Sequence, residues 1–405
     1  MLAAPHPIVQ KATPEAIGNR SLTRSGRIAV HPRRRATLKI VGIDVFGYEL
    51  GYAHGEYVMS GNRAAVTEDG TLVRIRTDAD IDGWGEITTL GATYLPTFPG
   101  GIRAALAELG SALIGLDPTN IRGIHRTMNS TLMGQSFAKS AIDIACWDVL
   151  GKATHQPISA LLGGVLNPDF PLYEAVPLGS PESMAQFIRA RRAAGVNRFQ
   201  LKVGNNPHED VERSRACVEA GDRDTVIVAD ANGGWNMADA KIALRGVDEL
   251  PIFVEQPCRT TADCILAHRL SDVPLVLDES ITDSTEVFRA KNEANAVSIN
   301  IKFGKLGGLT NVARMRDLIT ELGMLVSIED MWGGDVITAA TSHLAATTDP
   351  ESLLMTPFFN DWTDGHVAGR QPRSNNGRGS APTGPGLGIT IDTEALGAPL
   401  LMIGR

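Results

Sequence analysis

The chain has 405 residues, 43% hydrophobic and 21% charged, with a formal net charge of −8, an ordinary globular profile with length for two domains. No apolar run approaches the ~18 residues of a membrane span. No basic patch follows residue 37, which argues against nucleic acid as a partner. The four cysteines (Cys146, Cys217, Cys258 and Cys264) form no CxxC pair and no zinc-like spacing, which predicts a reduced, cytoplasmic setting.

Residues 1–37 stand apart. They hold seven Lys or Arg against the single acid Glu15, leaving 31 basic and 45 acidic residues for the remainder. Four prolines and no apolar period predict a disordered basic arm, or a misassigned start; an Arg-rich, acid-poor targeting segment is the alternative. From Leu38 the pattern turns to β. Lys39 to Phe46 alternates, as does Thr71 to Arg76, and Ile81 to Glu86 closes a small antiparallel sheet. The polar, glycine-bearing stretch 47–65 reads as a loop or hairpin tip. Helical patterns follow at 101–114, 121–128 and 138–151. Residues 38–165 are therefore expected to form an α+β unit.

A strand–helix period begins near Pro171. Apolar runs then end in Lys202, Asp230, Glu255, Asp278 and Lys302, at steps of 28, 25, 23 and 24 residues. That step is one strand, one helix and two turns, the repeat of a parallel barrel whose site lies at the strands' C-terminal ends. Further strands are expected at 325–329 and 353–355, giving a (β/α) barrel over 166–360. The segment 361–405 is rich in Gly and Pro, with a short strand at 389–391 expected to pack back on the first unit. Three carboxylates converging without a cation would repel and take up protons. A hard divalent cation such as Mg²⁺ turns Asp230, Glu255 and Asp278 into an oxygen-ligand site, flanked by Lys202 and Lys302.

These residues resemble the enolase superfamily, mandelate racemase/muconate lactonizing enzyme group. The resemblance covers residues 38–405 and is carried by Asp230-Ala-Asn-Gly-Gly-Trp235, Val254-Glu-Gln-Pro257, Leu277-Asp-Glu-Ser280, Asn300-Ile-Lys302 and Trp84-Gly-Glu86. It implies an α+β capping domain on a modified TIM-like (β/α) barrel, Mg²⁺ on Asp230, Glu255 and Asp278, and commonly a homo-oligomer. The implied substrate is a small carboxylate whose α-proton is removed to give an enediolate. Lys302 ends the sixth barrel strand, and no His ends the seventh, so the site is of the two-lysine type. Lys202 and Lys302 on opposite faces of the α-carbon would racemise or epimerise it; loss of a β-hydroxyl from the same enediolate would be dehydration. A non-catalytic metabolite-binding protein is a remote third possibility.

One departure narrows the group. The second strand usually reads Lys-x-Lys and here reads Gln200-Leu-Lys202, so Gln200 offers hydrogen bonds without charge. With Asp330-Met-Trp-Gly-Gly-Asp335 this looks most like the proline-derivative branch, hydroxyproline betaine epimerases and cis-3-hydroxyproline dehydratases. Trp332 would hold an ammonium by cation–π attraction, worth up to about 2 kcal/mol, beside Glu329 and Asp330; the alternative is a packing Trp and a helix-capping Glu. Tyr57, in the 47–65 loop that closes over substrate in this group, completes the expected substrate-binding set. The expected reaction is epimerisation of a proline or proline betaine, with dehydration of cis-3-hydroxyproline or an acid sugar as the alternative.

Overall fold

The computed structural model describes residues 38–404; the basic arm lies outside the described residues. The chain from Leu38 begins with β1 (Ile40–Gly51), the short hairpin of β2 (Tyr57–Met59) and β3 (Arg63–Ala65), then β4 (Thr67–Thr77) and β5 (Asp82–Ile87). Four helices follow, Pro99–Leu113, Ile121–Thr131, Ser136–Thr154 and the four-residue Ile158–Leu161. After β6 (Phe170–Pro171) come eight strands: β7 (Tyr173–Val176), β8 (Arg198–Lys202), β9 (Val226–Asp230), β10 (Phe253–Glu255), β11 (Leu275–Leu277), β12 (Ser298–Lys302), β13 (Leu325–Glu329) and β14 (Leu353–Met355). They form one parallel sheet in sequence order. The Tyr173 N–H donates to the Thr356 carbonyl at 3.0 Å, joining the first strand to the residue just past the last. The chain ends with β15 (Arg378–Gly379) and β16 (Leu401–Gly404).

The barrel repeat is written locally as well as in its apolar strands. Ser180, Asn206, Asn236, Thr260 and Asp283 each precede a barrel helix, and each side chain accepts a backbone N–H of the first turn. Such caps stop the strand-to-helix loop at a defined residue, at roughly 1 kcal/mol each. The strands are buried on both faces, β12 along its whole length, as expected where helices cover a parallel sheet.

In the capping sheet the order is β16–β1–β4–β5. The sequence predicts its last strand at 389–391, but Leu401–Gly404 is the segment that pairs antiparallel with β1, Val45 opposite Leu401. Residues 389–391 are in neither helix nor strand. The alternation at 401–404, intermediate and exposed by turns, is that of an edge strand with one weakly covered face. On the other side, β5 lies against the helix Ser136–Thr154, whose buried residues run all round its surface. Gly83 and Gly85 permit this contact: a Cβ at either would collide with the carbonyl oxygen of Ala145 or Ala141. No helix among the described residues is long and apolar enough to cross a membrane.

Candidate active site

Strand register brings the charges into line. Lys202 pairs with Asp230 across β8 and β9, Asp230 with Glu255 across β9 and β10, and Lys302 with Glu329 across β12 and β13. Parallel strands of equal phase place these strand-end residues at one level of the barrel, so side chains on the inward face converge. Asp230, Glu255 and Asp278 are 0–1% exposed, and Lys202 and Lys302 are 5% exposed. The two lysines stand on strands four apart in a sheet of eight, which sets them on opposite walls.

Ion pairs join the two sets. Lys202 Nζ lies 2.5 Å from Asp230 Oδ2; Lys302 Nζ lies 2.7 Å from Asp278 Oδ2 and 3.0 Å from Glu329 Oε1. Lys305 is buried behind the site and bonds Asp278 Oδ1 at 2.8 Å. Burial acts to lower both Lys202 and Lys302, but the facing carboxylates outweigh it, Asp230 for the first and Asp278 for the second, and hold both lysines above their usual range. Burial works against Asp278 too, and Lys302 and Lys305 overcome it to hold that carboxyl below its usual range. Glu255 is different. Burial and then its repulsion by Asp230 and Asp278 push it well up.

This donor set suits a hard divalent cation in its chemistry: three buried acids, oxygen ligands only, one of them raised by burial and then by the other two. Two orphaned oxygens adjoin them, Asn232 Oδ1 and Glu279 Oε2, both buried without a hydrogen-bond partner among the described residues. As the side chains stand, no three acidic, imidazole or thiol groups among the described residues are gathered tightly enough to enclose an ion. Ammoniums bond Asp230 and Asp278, and the side-chain amides of Gln200 and Asn300 bond Glu255, so a cation would compete with Lys202, Lys302 and Lys305 for two of the three acids.

Around this core stand the other expected residues. Tyr57, from the β2–β3 hairpin, lies over Lys202, its ring centroid 6.0 Å from Nζ. Trp332 lies 5.0 Å from the Tyr57 ring and also packs against Tyr52, Phe359 and Trp362. It is 2% exposed, and its indole N–H has no partner among the described residues. Glu329 accepts from the Tyr173 hydroxyl, Asn300 and Lys302; burial, then Asp330, pushes it well up. Asp330 accepts from the backbone N–H groups of Gly304 and Met331 and, through burial, is pushed up to about 7. Those two bonds tie the start of the Trp332 loop to the turn after β12. Gln200 gives both amide ends to the protein, accepting from Lys202 Nζ at 2.8 Å and donating to Glu255 Oε2 at 3.0 Å.

Other participants carry little sequence signal. Tyr94, in the loop after β5, donates to Glu279 Oε1 at 2.6 Å and accepts from Lys302 Nζ at 3.0 Å. A lone tyrosine among Gly, Thr and Pro gives no periodicity to read. Gln256 sits at φ +37°, a strained conformation for a residue with a side chain; its Oε1 accepts the Asp278 N–H at 2.9 Å. Asn300 was legible in principle, since it shares a strand face with Lys302. A cavity of about 790 Å³ opens beside the acids, lined among others by Arg63, Tyr94, Asn232, Arg259 and Glu279.

Comparison with known proteins bears on the family and the fold. Residues 59–163 match the mandelate racemase/muconate lactonizing enzyme N-terminal domain, and residues 183–395 match the enolase C-terminal domain-like family. A cis-3-hydroxy-L-proline dehydratase from Roseibium aggregatum is 40% identical over 363 residues, 90% of this chain and 99% of that protein. An N-succinyl-L-Arg/Lys racemase from Bacillus cereus is 31% identical, covering 89% of this chain and 97% of the racemase. The crystal structure of an enolase superfamily member from Roseovarius nubinhibens complexed with magnesium superposes with a TM-score of 0.85 at 32% identity, over 91% of this chain and all of that one.

Proposed function

This chain belongs to the mandelate racemase/muconate lactonizing enzyme group of the enolase superfamily, and from that membership we propose that it removes the α-proton of a proline-type carboxylate and expels a 3-hydroxyl as water. The observation that carries the reading is the pair of buried lysines on opposite walls with three acids between them. In a cis-3-hydroxyproline the hydroxyl and the carboxylate share a ring face, so the α-hydrogen lies on the other. Elimination then needs a base on one face and an acid on the opposite one. Lys202 and Lys302 meet that requirement, one accepting the α-proton and the other donating to the departing hydroxyl. A Mg²⁺ ion held by Asp230, Glu255 and Asp278 would supply positive charge at the substrate carboxylate and offset the negative charge that keeps the lysines protonated. Trp332 and Tyr57 would face the ring ammonium, with Glu329 adding negative charge. Tyr94 would have to yield its place on Lys302.

The 40% relationship to a dehydratase favours elimination. Epimerisation, the outcome expected from the sequence, is the second reading. It is favoured by the same opposed lysines, which could return a proton from the far face, and by the racemase relative. A cytoplasmic, homo-oligomeric enzyme completes the proposal, the setting supported by four free, buried cysteines.

The test is incubation of cis-3-hydroxy-L-proline, proline and their N-methylated forms with enzyme and Mg²⁺ in D₂O. Loss of hydroxyl supports dehydration; deuterium at Cα with the hydroxyl retained and the centre inverted supports epimerisation. Neither change on any of these substrates, with enzyme that binds Mg²⁺, would sink the proline-type reading. Replacing Lys302 with Ala should lower turnover by roughly 10²–10⁴-fold, the usual loss of a general acid or base.

A further inference from the structure

Gln200 and Asn300 each stand two residues before one of the paired lysines, on β8 and β12, so amide and lysine share a face of their strand. They reach from opposite walls to a single carboxylate. Gln200 Nε2 donates to Glu255 Oε2 at 3.0 Å, and Asn300 Nδ2 donates to Glu255 Oε1 at 2.8 Å. On their outer sides Gln200 Oε1 accepts from Lys202, and Asn300 Nδ2 also donates to Glu329 Oε1 at 2.8 Å, the oxygen that Lys302 approaches at 3.0 Å. A continuous run of polar contacts therefore crosses the barrel from Lys202 through Gln200, Glu255, Asn300 and Glu329 to Lys302. Gln200 and Asn300 are 2% and 0% exposed, so these contacts are made out of water's reach.

We propose that Gln200 and Asn300 are paired positioning residues: an amide clamp that fixes the orientation of the Glu255 carboxylate and, at its outer ends, the placement of the two lysines. Each amide takes one lone pair of one oxygen. An ionised carboxylate has about four such sites, so each oxygen keeps another for a cation. The clamp is neutral at both ends. A lysine at position 200 would cancel part of the Glu255 charge, whereas a glutamine orients it and leaves it for the metal. This assigns Gln200 to the metal ligand rather than to the substrate, and it rests on Glu255 being a ligand as proposed above.

The experiment compares Gln200→Met, Asn300→Leu and the double variant with wild type. Mg²⁺ affinity is measured by calorimetry on the enzyme without substrate, and kcat and KM are measured on the substrate that wild type turns over. Each single variant should weaken Mg²⁺ binding about tenfold, as loss of a partner behind a metal ligand does, and lower kcat about tenfold with KM within threefold. The double variant should fall short of the product of the two, because both act on one carboxylate. If thermal melting shows that Gln200→Met is not folded, Gln200→Asn, which keeps an amide too short to span both partners, carries the same expectation. Mg²⁺ affinity within about twofold of wild type in both single variants would overturn the clamp. So would a rise in KM for Gln200→Met with kcat and Mg²⁺ affinity unchanged, the signature of a substrate contact. The calorimetric comparison needs no substrate, so it decides the clamp even if the proline-type reading fails.

Discussion

Between β5 and the helix Ser136–Thr154 the contact is made of glycine and alanine: Gly83 and Gly85 lie against the carbonyls of Ala145 and Ala141. At the barrel mouth the equally buried contact is made of Asp230, Glu255, Asp278, Lys202, Lys302 and Lys305. The first region is specified by shape, since no other residue fits at two positions. The second is specified by charge, since each buried ammonium stands against a carboxylate. A shape-held contact resists change because neighbours cannot move. A charge-held contact can exchange partners, and that is what the proposed binding of a cation and a zwitterion would require.

The sharpest way to break this contrast is Asp278→Asn. It leaves Lys305 facing a neutral amide and Lys302 with Glu329 as its remaining ion-pair partner, and removing one member of a buried ionic set costs about 3–5 kcal/mol. Denaturant unfolding should show that loss, and turnover should fall to background. A variant as stable as wild type would mean that charge does not hold the mouth together.

Gly85→Ala probes the shape-held side. Overpacking against a helix backbone that cannot withdraw should cost about 3 kcal/mol, with KM unchanged in the protein that remains folded. A loss below about 1 kcal/mol would show that the helix can shift, and that the contact is less rigid than its geometry implies.

His343 places a titrating group in a region held by packing. It is fully buried; its Nδ1 accepts the Ser159 N–H at 3.2 Å, and its Nε2 lies 3.1 Å from the Leu387 carbonyl. Burial pushes its pKa down to about 4. A depressed base binds its proton more weakly folded than unfolded, so its contribution is present above pH 6.5 and is lost as pH falls toward 4. The expected loss is ~3 kcal/mol from the shift alone. Glu86 and Asp330, each pushed up to about 7 by burial, contribute the opposite slope. The informative quantity is therefore the difference between wild type and His343→Gln, from urea unfolding at pH 7.5 and 4.5. Parallel pH curves for the two proteins would show that His343 does not carry this dependence.

The smallest effect is expected at Trp332. Trp332→Ala should cost roughly 0.5–2 kcal/mol of binding for an ammonium-bearing ring substrate, and Trp332→Phe less. Equal losses for a cationic and a neutral carboxylate would mark Trp332 as packing alone, placing it with the shape-held region.

The strand-end charges were legible because a parallel barrel repeats at a fixed interval and inward faces follow a two-residue period. Lys202, Asp230, Glu255, Asp278 and Lys302 could be aligned by counting, and the capping sheet followed from alternation. The edge strand was misplaced, since both 389–391 and 401–404 are short and apolar and only pairing with β1 chooses between them. Tyr94 was invisible for a related reason: its loop has no period, and its hydroxyl finds Glu279 and Lys302 across distances in sequence of 185 and 208 residues.

What the sequence determined by itself is the barrel, the level at which its charges meet, and the oxygen-and-lysine chemistry available there, because each depends on local periods. The tertiary structure decided what each charge faces. It turned Gln200 toward Glu255, set Lys305 behind Asp278, and buried Trp332 among four aromatic rings. Those outcomes depend on side chains reaching across the barrel, where distance and burial set the energy and spacing along the chain carries no information about either.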